Sequence, residues 1–500
     1  MNNYIQRLDM YKIDWEKYLS HERSRKPESK AGQAQAAGEL DLRNEFDSDF
    51  GRVIFSTAAR RMHDKTQVFP LTSGDYVHTR LTHSLEVMNL AVSLGSSLCR
   101  NAAFVGAYGR EKAMLLEQQI CAVLKTAAFV HDIGNPPFGH YGEDTIKSYF
   151  KSGQWEKYAA GYDDADRAFY EEHKRDFTEF DGNAEGFRIL AKGQYLGDLY
   201  GLNLTFAVLG AFMKYPNAGP GDKKGYVGQH KHGVFATEEQ VFRQVAEKCS
   251  MLRADGSVKR HPLSFLVEAA DTICYTVMDI EDGMSIGKIT VDDVCGWADA
   301  YIEKHADNKC FTPEMKEGGH FSLKKLIGLK RPPYEKKYDV NFRVALISFF
   351  VRHAITCYMR NLEAIDRGTY SMELLADDPL MVAETLGKFA RKNLFTDSSI
   401  VSAELAGASV VSGLLDLVLE KALPHDAGKD LRIFRMLSDS GVKLVHHECG
   451  LYDPADGAEF EFRIDELPLY YRLRLVVDWI SGMTDKFALE TYQRLSGIRL

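Results

Sequence analysis

The chain carries a His-Asp pair, His131-Asp132, directly after an apolar run and just before a turn rich in glycine and proline. An imidazole and a carboxylate that leave a buried segment together can bind the same divalent metal ion. A charge at the edge of a core needs a partner, and a cation provides one. The pair therefore predicts a metal site at the end of this segment.

Two further side chains extend the predicted site. His83 lies near the start of a predicted helix, with Thr79 or Thr82 as its N-cap. Asp271 belongs to a polar stripe on an otherwise apolar helix, and a buried acidic stripe is costly unless it binds a cation or pairs. Two histidines and two aspartates form a mixed nitrogen and oxygen set with room for water. Such a set suits magnesium, manganese or iron used as a Lewis acid better than a closed structural zinc.

A second pair of residues follows the turn, at His140 and Glu143. A glutamate beside a histidine can orient the ring and raise its pKa, which makes a proton donor or acceptor available near neutral pH. We therefore predict a catalytic dyad here. The alternative is a loop histidine that is hydrogen-bonded to the glutamate for structure alone.

The elements that position these residues are predicted to be helices. Helical periodicity dominates the 500 residues, and strand-like runs are short and few, so the fold class is mainly α with at most a small β-hairpin. The clearest helical windows are 82–100, 111–133, 264–280, 340–363 and 467–496. The predicted organisation is an N-terminal arm or linker over 1–42, a catalytic core over 43–290 with a surface excursion or lid at 151–180, and a helical region packed on that core over 291–500.

The composition excludes several classes of protein. A net charge of -9 argues against binding of nucleic acid by the whole surface. One basic segment, 324–337, is either a seat for phosphates or a solvated loop. There is no long uninterrupted apolar run and no signal-peptide pattern at the N-terminus, so we expect a cytoplasmic protein without membrane contact. The cluster from His446 to Cys449 is a weak second metal candidate, because contiguous residues cannot all reach one ion.

The motifs together extend far beyond the His-Asp pair. The chain resembles the HD superfamily of phosphohydrolases, specifically the deoxynucleotide triphosphohydrolases and among them the bacterial dGTP triphosphohydrolases. The resemblance covers roughly residues 43 to 495. It is carried by the blocks Arg60-Arg61, 64–71, HTRLTHSLEV at 78–87, HDIGNPPFGHYGE at 131–143, 180–188, 213–216, AADTICYTVMDIEDG at 269–283 and 481–485.

The resemblance implies hydrolysis of dGTP, with other dNTPs as further substrates, to a deoxynucleoside and inorganic triphosphate. It implies a divalent metal, magnesium or manganese with iron as a third choice, held by His83, His131, Asp132 and Asp271. His140 with Glu143 would manage protons at the reacting oxygens, either as an acid on O5′ or in activating the water. The implied substrate contacts are Gln67, Val68, Arg80, Asn183, Lys214, Tyr215, Lys231, Tyr275 and Asp279.

Within that set, Tyr275 would pack against the sugar C2′ and exclude a ribose hydroxyl, and Asp279 would bond the 3′-OH. This pair argues against a first alternative, another HD phosphohydrolase such as a nucleotidase or a guanosine-tetraphosphate-type enzyme. A second alternative is a nucleotide- or nucleic-acid-binding regulator with a vestigial metal site. The resemblance also implies a homo-oligomer, a hexamer or a tetramer, and single-stranded DNA or a second nucleotide as an effector.

Overall fold

The structure, a computed structural model, describes residues 11–25, 44–67, 78–194, 197–305, 307, 335–394, 396, 398–424, 432–457 and 459–498. Within these ranges the regular elements are helices, and β pairing is limited to isolated bridges. The prediction of a mainly α fold is therefore confirmed. Val68 and the first eleven residues of the basic segment 324–337 lie outside the described residues.

The helices of the N-terminal half are α1 Glu45–Ile54, α2 Thr57–Arg61, α3 Arg80–Cys99, α4 Ala102–Tyr108, α5 Arg110–Phe129, α6 Gly139–Lys151, α7 Asp164–His173, α8 Arg175–Thr178, α9 Gly182–Arg188, α10 Phe206–Phe212 and α11 Glu239–Lys248. Those of the C-terminal half are α12 Ser264–Ser285, α13 Val291–Lys304, α14 Glu335–Arg360, α15 Leu362–Asp366, α16 Val382–Asn393, α17 Ser398–Ala422, α18 Asp439–Glu448, α19 Leu469–Ser481 and α20 Asp485–Leu495.

These helices build two hydrophobic cores. In the first, α3 lies along α5, and α12 packs on both of them together with α14. In the second, α6 packs against α17, which also contacts α19 and α20. Burial of their apolar faces drives this assembly. The division of the chain into the three predicted units is not tested by this packing and stays a prediction.

The segment 151–180 was predicted to be a surface excursion, and for its aromatic residues this prediction is wrong. Trp155, Tyr162, Tyr170 and Phe177 are buried in the second core. Few aliphatic residues are needed there because each aromatic ring removes a large apolar area from water. A lid function for the segment stays a prediction.

The predicted N-terminal arm is also partly incorporated into the core. Trp15 and Tyr18 are buried, and the Tyr18 hydroxyl donates a hydrogen bond to Asp366 Oδ1 at 2.5 Å. Residues 11–25 are therefore packed on the protein and do not form a loose linker. For the rest of 1–42, which lies outside the described residues, the arm or linker stays a prediction.

Two helices have boundaries that differ from those predicted from the sequence periodicity. The window 111–133 closes at Phe129, so the His-Asp pair lies in the turn that follows α5. The window 467–496 is split after Ser481, because Thr484 caps a new helix by accepting a hydrogen bond from the Phe487 backbone amide at 3.2 Å.

Two helical stretches, 342–360 and 400–422, are long and apolar enough to cross a membrane by length and composition alone. Core helices of soluble proteins pass the same test, and both stretches contribute buried side chains to the cores described above. The cytoplasmic location predicted from the sequence stays a prediction.

A network of buried charges joins α9 to the C-terminal helices. The Arg188 guanidinium donates to Glu448 at 2.9 Å and to Asp478 at 2.8 Å. Arg474 donates to Glu185 at 2.9 Å and is itself fully buried. Buried charges of this kind stabilise a fold only while every partner is present.

One member of this network makes the stability of the protein depend on pH. Burial and the negative charge of Asp478 raise the pKa of Glu185 to about 7 from 4.5. Between these two pH values the folded protein holds a proton that the unfolded chain has released. The stability contributed by Glu185 is therefore present at low pH and falls as the pH rises through this window.

We expect the variant Glu185→Gln to lack this dependence. The difference in free energy of unfolding, Glu185→Gln minus wild type, should rise by on the order of 3 kcal/mol from pH 4.5 to pH 7.5, measured by urea denaturation. The exposed Glu239, which pairs with Arg243 on α11, offers a control, Glu239→Gln, that should follow the wild type at every pH. Parallel curves for Glu185→Gln and wild type would contradict the expectation.

Candidate active site

The first turn of α3 brings two side chains to the site. The Thr79 hydroxyl accepts a hydrogen bond from the Thr82 backbone amide, and the Thr82 hydroxyl accepts one from the Thr79 amide. This capping box fixes where the helix begins. Arg80 and His83 follow within that first turn, and both are buried.

The turn after α5 presents His131 in a single orientation. Its Nδ1 atom lies 2.8 Å from the carbonyl oxygen of Ala128, which can accept the ring proton. In the neutral ring, the other nitrogen, Nε2, then carries the lone pair. This nitrogen is buried and has no hydrogen-bond partner among the described residues. A buried imidazole nitrogen without a partner is expected where a metal ion is to be bound.

The neighbouring ligand atoms face the same point. His83 Nε2 lies 3.0 Å from Asp271 Oδ1, and His131 Nε2 lies 3.4 Å from the same oxygen. Among the described residues, these three side chains form the one group whose ligand atoms all lie within 4.8 Å of one another. The structure therefore brings together three of the four predicted metal ligands, from α3, the turn after α5 and α12.

The fourth predicted ligand, Asp132, lies at the edge of this group. Its Oδ1 atom is 3.7 Å from His131 Nε2. Its carboxylate accepts hydrogen bonds from Arg80 at 2.5 Å and from the Asn135 side chain at 2.7 Å. Burial opposes ionisation of Asp132, but the charges of His131 and Arg80 outweigh it and lower the pKa of the carboxyl group to about 2.

The electrostatics of the group fit a bound cation. Burial lowers the pKa of His131, yet the charges of Asp132 and Asp271 outweigh burial and raise it to about 9. Two carboxylates and two imidazoles thus share a partly buried position that attracts positive charge. The donor set, together with the unpartnered His131 Nε2, fits a divalent ion such as magnesium, manganese or iron.

The predicted dyad is arranged differently from the expectation. His140 and Glu143 both lie on the first turns of α6, and His140 is exposed. The Glu143 carboxylate accepts hydrogen bonds from Lys147 at 2.8 Å and from the Gly182 backbone amide at 3.1 Å. No hydrogen bond joins Glu143 to His140 in the described structure. The expected orienting contact is absent because Glu143 is already used to hold α9.

The predicted residues surround one cavity of about 840 Å³. All of the predicted site residues line it except two. His83 is buried and does not reach the cavity surface, and Val68 lies outside the described residues. The predicted residues that line the cavity are Gln67, Arg80, His131, Asp132, His140, Glu143, Asn183, Lys214, Tyr215, Lys231, Asp271, Tyr275 and Asp279.

One wall of the cavity carries two ammonium groups. Lys214 forms an ion pair with Glu268, and Lys231 lies 2.5 Å from Asp181 Oδ2. The Tyr215 ring lies beside both, with its centroid 5.7 Å from Lys214 Nζ and 5.6 Å from Lys231 Nζ. Burial lowers the pKa of Lys214, but the Glu268 charge outweighs burial and raises it well above its usual value.

Another wall is formed by the polar stripe of α12. Tyr275 lies one turn beyond Asp271 and leaves 41% of its surface exposed toward the cavity, whereas Asp279 is nearly buried. Burial and the charges of Asp282 and Asp271 raise the pKa of Asp279 well above its usual value. The wall therefore offers an aromatic face beside a polar group.

Several functional neighbours were not singled out from the sequence. Asp181 and Glu268 hold the two lysines, and Arg391 and Glu404 line the cavity from the C-terminal helices α16 and α17. Glu268 belongs to the α12 stripe and was visible as a polar position. Asp181 precedes a glycine at a helix start, a typical N-cap pattern that by itself indicates no ligand.

The structure does not support a second metal site at the cluster from His446 to Cys449. His446 is buried, its Nδ1 atom lies 2.8 Å from the Val442 carbonyl oxygen, and its Nε2 atom accepts a hydrogen bond from the Arg463 amide at 3.2 Å. Both ring nitrogens are thus used within the protein.

Comparison with known proteins agrees with this geometry. The profile of the HD domain matches residues 80–179, and that of the phosphohydrolase-associated domain matches residues 456–494. The helical core and the histidine-aspartate group together define a metal-dependent phosphohydrolase of the HD class.

Relatives extend the match to almost the whole chain. A deoxyguanosinetriphosphate triphosphohydrolase-like protein of Listeria monocytogenes is 31% identical over 97% of this chain and 100% of its own length. One of the same description from Pseudomonas aeruginosa is 30% identical over 97% of this chain and 99% of its own. A deoxyguanosinetriphosphate triphosphohydrolase of Yersinia pseudotuberculosis is 28% identical over the same shares. The chain belongs to the deoxyguanosinetriphosphate triphosphohydrolase-like family of HD-domain proteins, and it is a hydrolase.

Proposed function

We propose that this protein hydrolyses dNTPs, dGTP foremost, to the deoxynucleoside and inorganic triphosphate. The observation that carries the proposal is the convergence in one cavity of a divalent-metal ligand group, two lysines and the Tyr275–Asp279 wall. Each part suits one part of the substrate. The lysines suit a polyphosphate, the metal group suits the phosphorus under attack, and the α12 wall suits a deoxyribose.

The proposed binding roles follow from charge and position. Lys214 and Lys231 with Tyr215 contact the polyphosphate, because a tetra-anionic group needs several cations and donors. Arg80 and Asn183 lie at the same cavity and supply further donors. Gln67 contacts the edge of the base or sugar, and its Oε1 atom already accepts a hydrogen bond from Arg80 at 3.2 Å.

The proposed chemistry occurs at the α-phosphate. His83, His131, Asp132 and Asp271 would hold a divalent ion, which when bound polarises a phosphoryl oxygen and lowers the pKa of water. Arg80 keeps Asp132 ionised and oriented through their 2.5 Å contact. His140, exposed in the cavity, moves a proton at the reacting oxygens. Glu143 fixes the start of α9, and so the position of Asn183, by accepting the Gly182 amide proton.

The experiment that tests the proposal resolves the products. Each of the four dNTPs and GTP is incubated with the protein and either magnesium or manganese, and triphosphate is separated from pyrophosphate and phosphate. We expect triphosphate from dGTP foremost, and none from the Asp132→Ala variant. Phosphate or pyrophosphate as the product would favour a nucleotidase. Absence of turnover with any metal would favour a binding protein.

Tyr275 provides a test of the sugar specificity. Replacing its ring by alanine opens space beside the proposed C2′ position, so we expect the preference for dGTP over GTP to fall by roughly ten- to a hundredfold, measured as the ratio of kcat/KM values. The variant Tyr275→Phe keeps the ring and should keep the preference. Equal preference in the wild type and Tyr275→Ala would contradict this role.

The family resemblance also supports a homo-oligomer, a hexamer or a tetramer, and regulation by single-stranded DNA or a nucleotide. Light scattering measures the first. For the second, the rate of dGTP hydrolysis with and without each effector is the direct measurement, and an effect of DNA should weaken steeply with salt.

A further inference from the structure

Two carboxylates, those of Glu268 and Asp181, are each paired with one of the two lysines that line the cavity. Glu268 lies on α12 and pairs with Lys214, while Asp181 caps α9 and pairs with Lys231. Both carboxylates are buried, whereas the lysines keep 25% and 36% of their side-chain surface exposed. The lysines are therefore more exposed than the carboxylates with which they pair.

The backbone of each lysine accepts a hydrogen bond from a neighbouring side chain. Arg260 is fully buried, donates a hydrogen bond to the Lys214 carbonyl oxygen at 2.7 Å and forms a two-point ion pair with Glu373 at 2.8 and 2.9 Å. The Asn217 side chain donates to the Lys231 carbonyl oxygen at 3.0 Å. Both lysine backbones are thus fixed independently of their side chains.

The Tyr215 ring lies beside both ammonium groups. Its distances to the two Nζ atoms, 5.7 and 5.6 Å, are almost equal. The segment that contains Gly233 packs closely against Tyr215, since a Cβ atom at Gly233 would lie 1.9 Å from the Tyr215 carbonyl oxygen. The backbone of Tyr215 therefore has little freedom to shift.

We infer that Glu268 and Asp181 are positioning residues that hold Lys214 and Lys231 as a charged clamp for the polyphosphate of the substrate. The inference rests on the proposed function, of which it specifies the phosphate subsite. Asp181 does not line the cavity, and the Glu268 carboxylate is engaged by the Lys214 ammonium group. Each acts through its lysine.

Lys65 shows what a buried lysine does without such a partner. Its ammonium group donates to two carbonyl oxygens, of Asn135 at 2.6 Å and of Ser481 at 2.9 Å, and burial lowers its pKa to about 7. At this position the carbonyl oxygens do not offset burial and the nearby positive charges of Arg61 and Arg80. Glu268 offsets burial for Lys214, and Asp181 does so for Lys231 with Glu143 as a second carboxylate 3.7 Å away; the pKa values of both lysines are raised.

A carboxylate near a phosphate subsite has two opposing effects. It repels the incoming anion, and it keeps the lysine charged and oriented. An ammonium group has three donors and its ion pair does not use them all, so each lysine retains donors for phosphate while its charge is preserved. We therefore expect the orienting effect to dominate and the affinity for polyphosphate to fall when either carboxylate is neutralised.

The test measures binding rather than turnover. Isothermal titration calorimetry with magnesium tripolyphosphate and, separately, with deoxyguanosine is performed on the full chain and on the variants Asp181→Asn and Glu268→Gln. We expect each variant to bind tripolyphosphate at least about tenfold more weakly and deoxyguanosine as tightly as the wild type. Asp181→Asn keeps an oxygen that can accept the capping hydrogen bonds from Asn183, which favours correct folding.

The control variant is Asp163→Asn, at the N-cap of α7, where the aspartate accepts a hydrogen bond from the Asp166 amide at 2.9 Å. It should bind both ligands as the wild type does. Unchanged or tighter tripolyphosphate binding in Asp181→Asn and Glu268→Gln would overturn the inference, as would equal weakening for both ligands, which indicates a structural role. A chain that binds tripolyphosphate through the clamp but hydrolyses no dNTP would refute the proposed function and leave the clamp standing.

Discussion

Substitution of His131 by alanine is expected to remove the divalent metal from the protein and to reduce hydrolysis at least about a thousandfold. A metal ion used as a Lewis acid contributes several kcal/mol to the transition state, and about 1.4 kcal/mol corresponds to a factor of ten in rate. His131 is central because its Nε2 atom is buried, unpartnered and 3.4 Å from Asp271 Oδ1. Among the described residues, no donor forms a hydrogen bond with this nitrogen.

The measurement has two readouts, the metal content per chain by mass spectrometry and the initial rate of dGTP hydrolysis. His63, which is exposed and pairs with Asp64, supplies the matched variant His63→Ala, and this should retain both metal and activity. A His131→Ala protein that keeps a full complement of metal would show that the histidine-aspartate group is not the metal site. Retention of the rate without metal would show that the reaction does not use it.

The ligand group illustrates which features the sequence predicts well. His83, His131 and Asp271 are far apart in the chain, yet each stands out as a polar residue on an apolar helix or directly after one. Burial restricts where such residues can find partners, so their convergence was predictable from residue type and helical periodicity. The structure places their ligand atoms within 4.8 Å of one another.

The supporting contacts were less predictable, because they depend on how distant segments pack. The Lys231 side chain pairs with Asp181 rather than with a neighbour in sequence, and Glu143 accepts from Gly182 rather than from His140. The aromatic residues of 151–180 look exposed in sequence because charged residues surround them. Trp155 and Phe177 are nevertheless buried by C-terminal helices that periodicity alone cannot place there.

The geometry of the site also depends on a contact between two backbones that no side-chain pattern reveals. The turn that carries Asp132 packs directly on α9, which carries Asn183. An added Cβ atom at Gly134 would lie 2.0 Å from the Gly186 amide nitrogen and 2.2 Å from the Gly182 carbonyl oxygen. This close approach sets the distance between the proposed metal group and the start of α9.

We therefore expect Gly134→Ala to destabilise the protein by more than about 3 kcal/mol or to prevent folding. Overpacking in a core usually costs about 1 to 3 kcal/mol when side chains can shift, but here the clashing atoms belong to the backbone of α9 and no rotamer change relieves them. The free energy of unfolding is measured by urea denaturation, with the soluble fraction on expression as a second readout. In the folded part of the population, dGTP should bind more weakly, because α9 and Asn183 are displaced from Asp132.

Gly106 on α4 provides the matched control, since an added Cβ atom there meets nothing within 4 Å. Gly106→Ala should be neutral or should stabilise the protein by up to about 1 kcal/mol, because alanine loses less backbone entropy than glycine on forming a helix. If the free energy of unfolding of Gly134→Ala lies within about 0.5 kcal/mol of the wild-type value, the close packing of the two segments does not hold in solution. A large loss for Gly134→Ala beside a neutral Gly106→Ala would instead show that backbone contact, rather than helix propensity, positions the α9 side of the site.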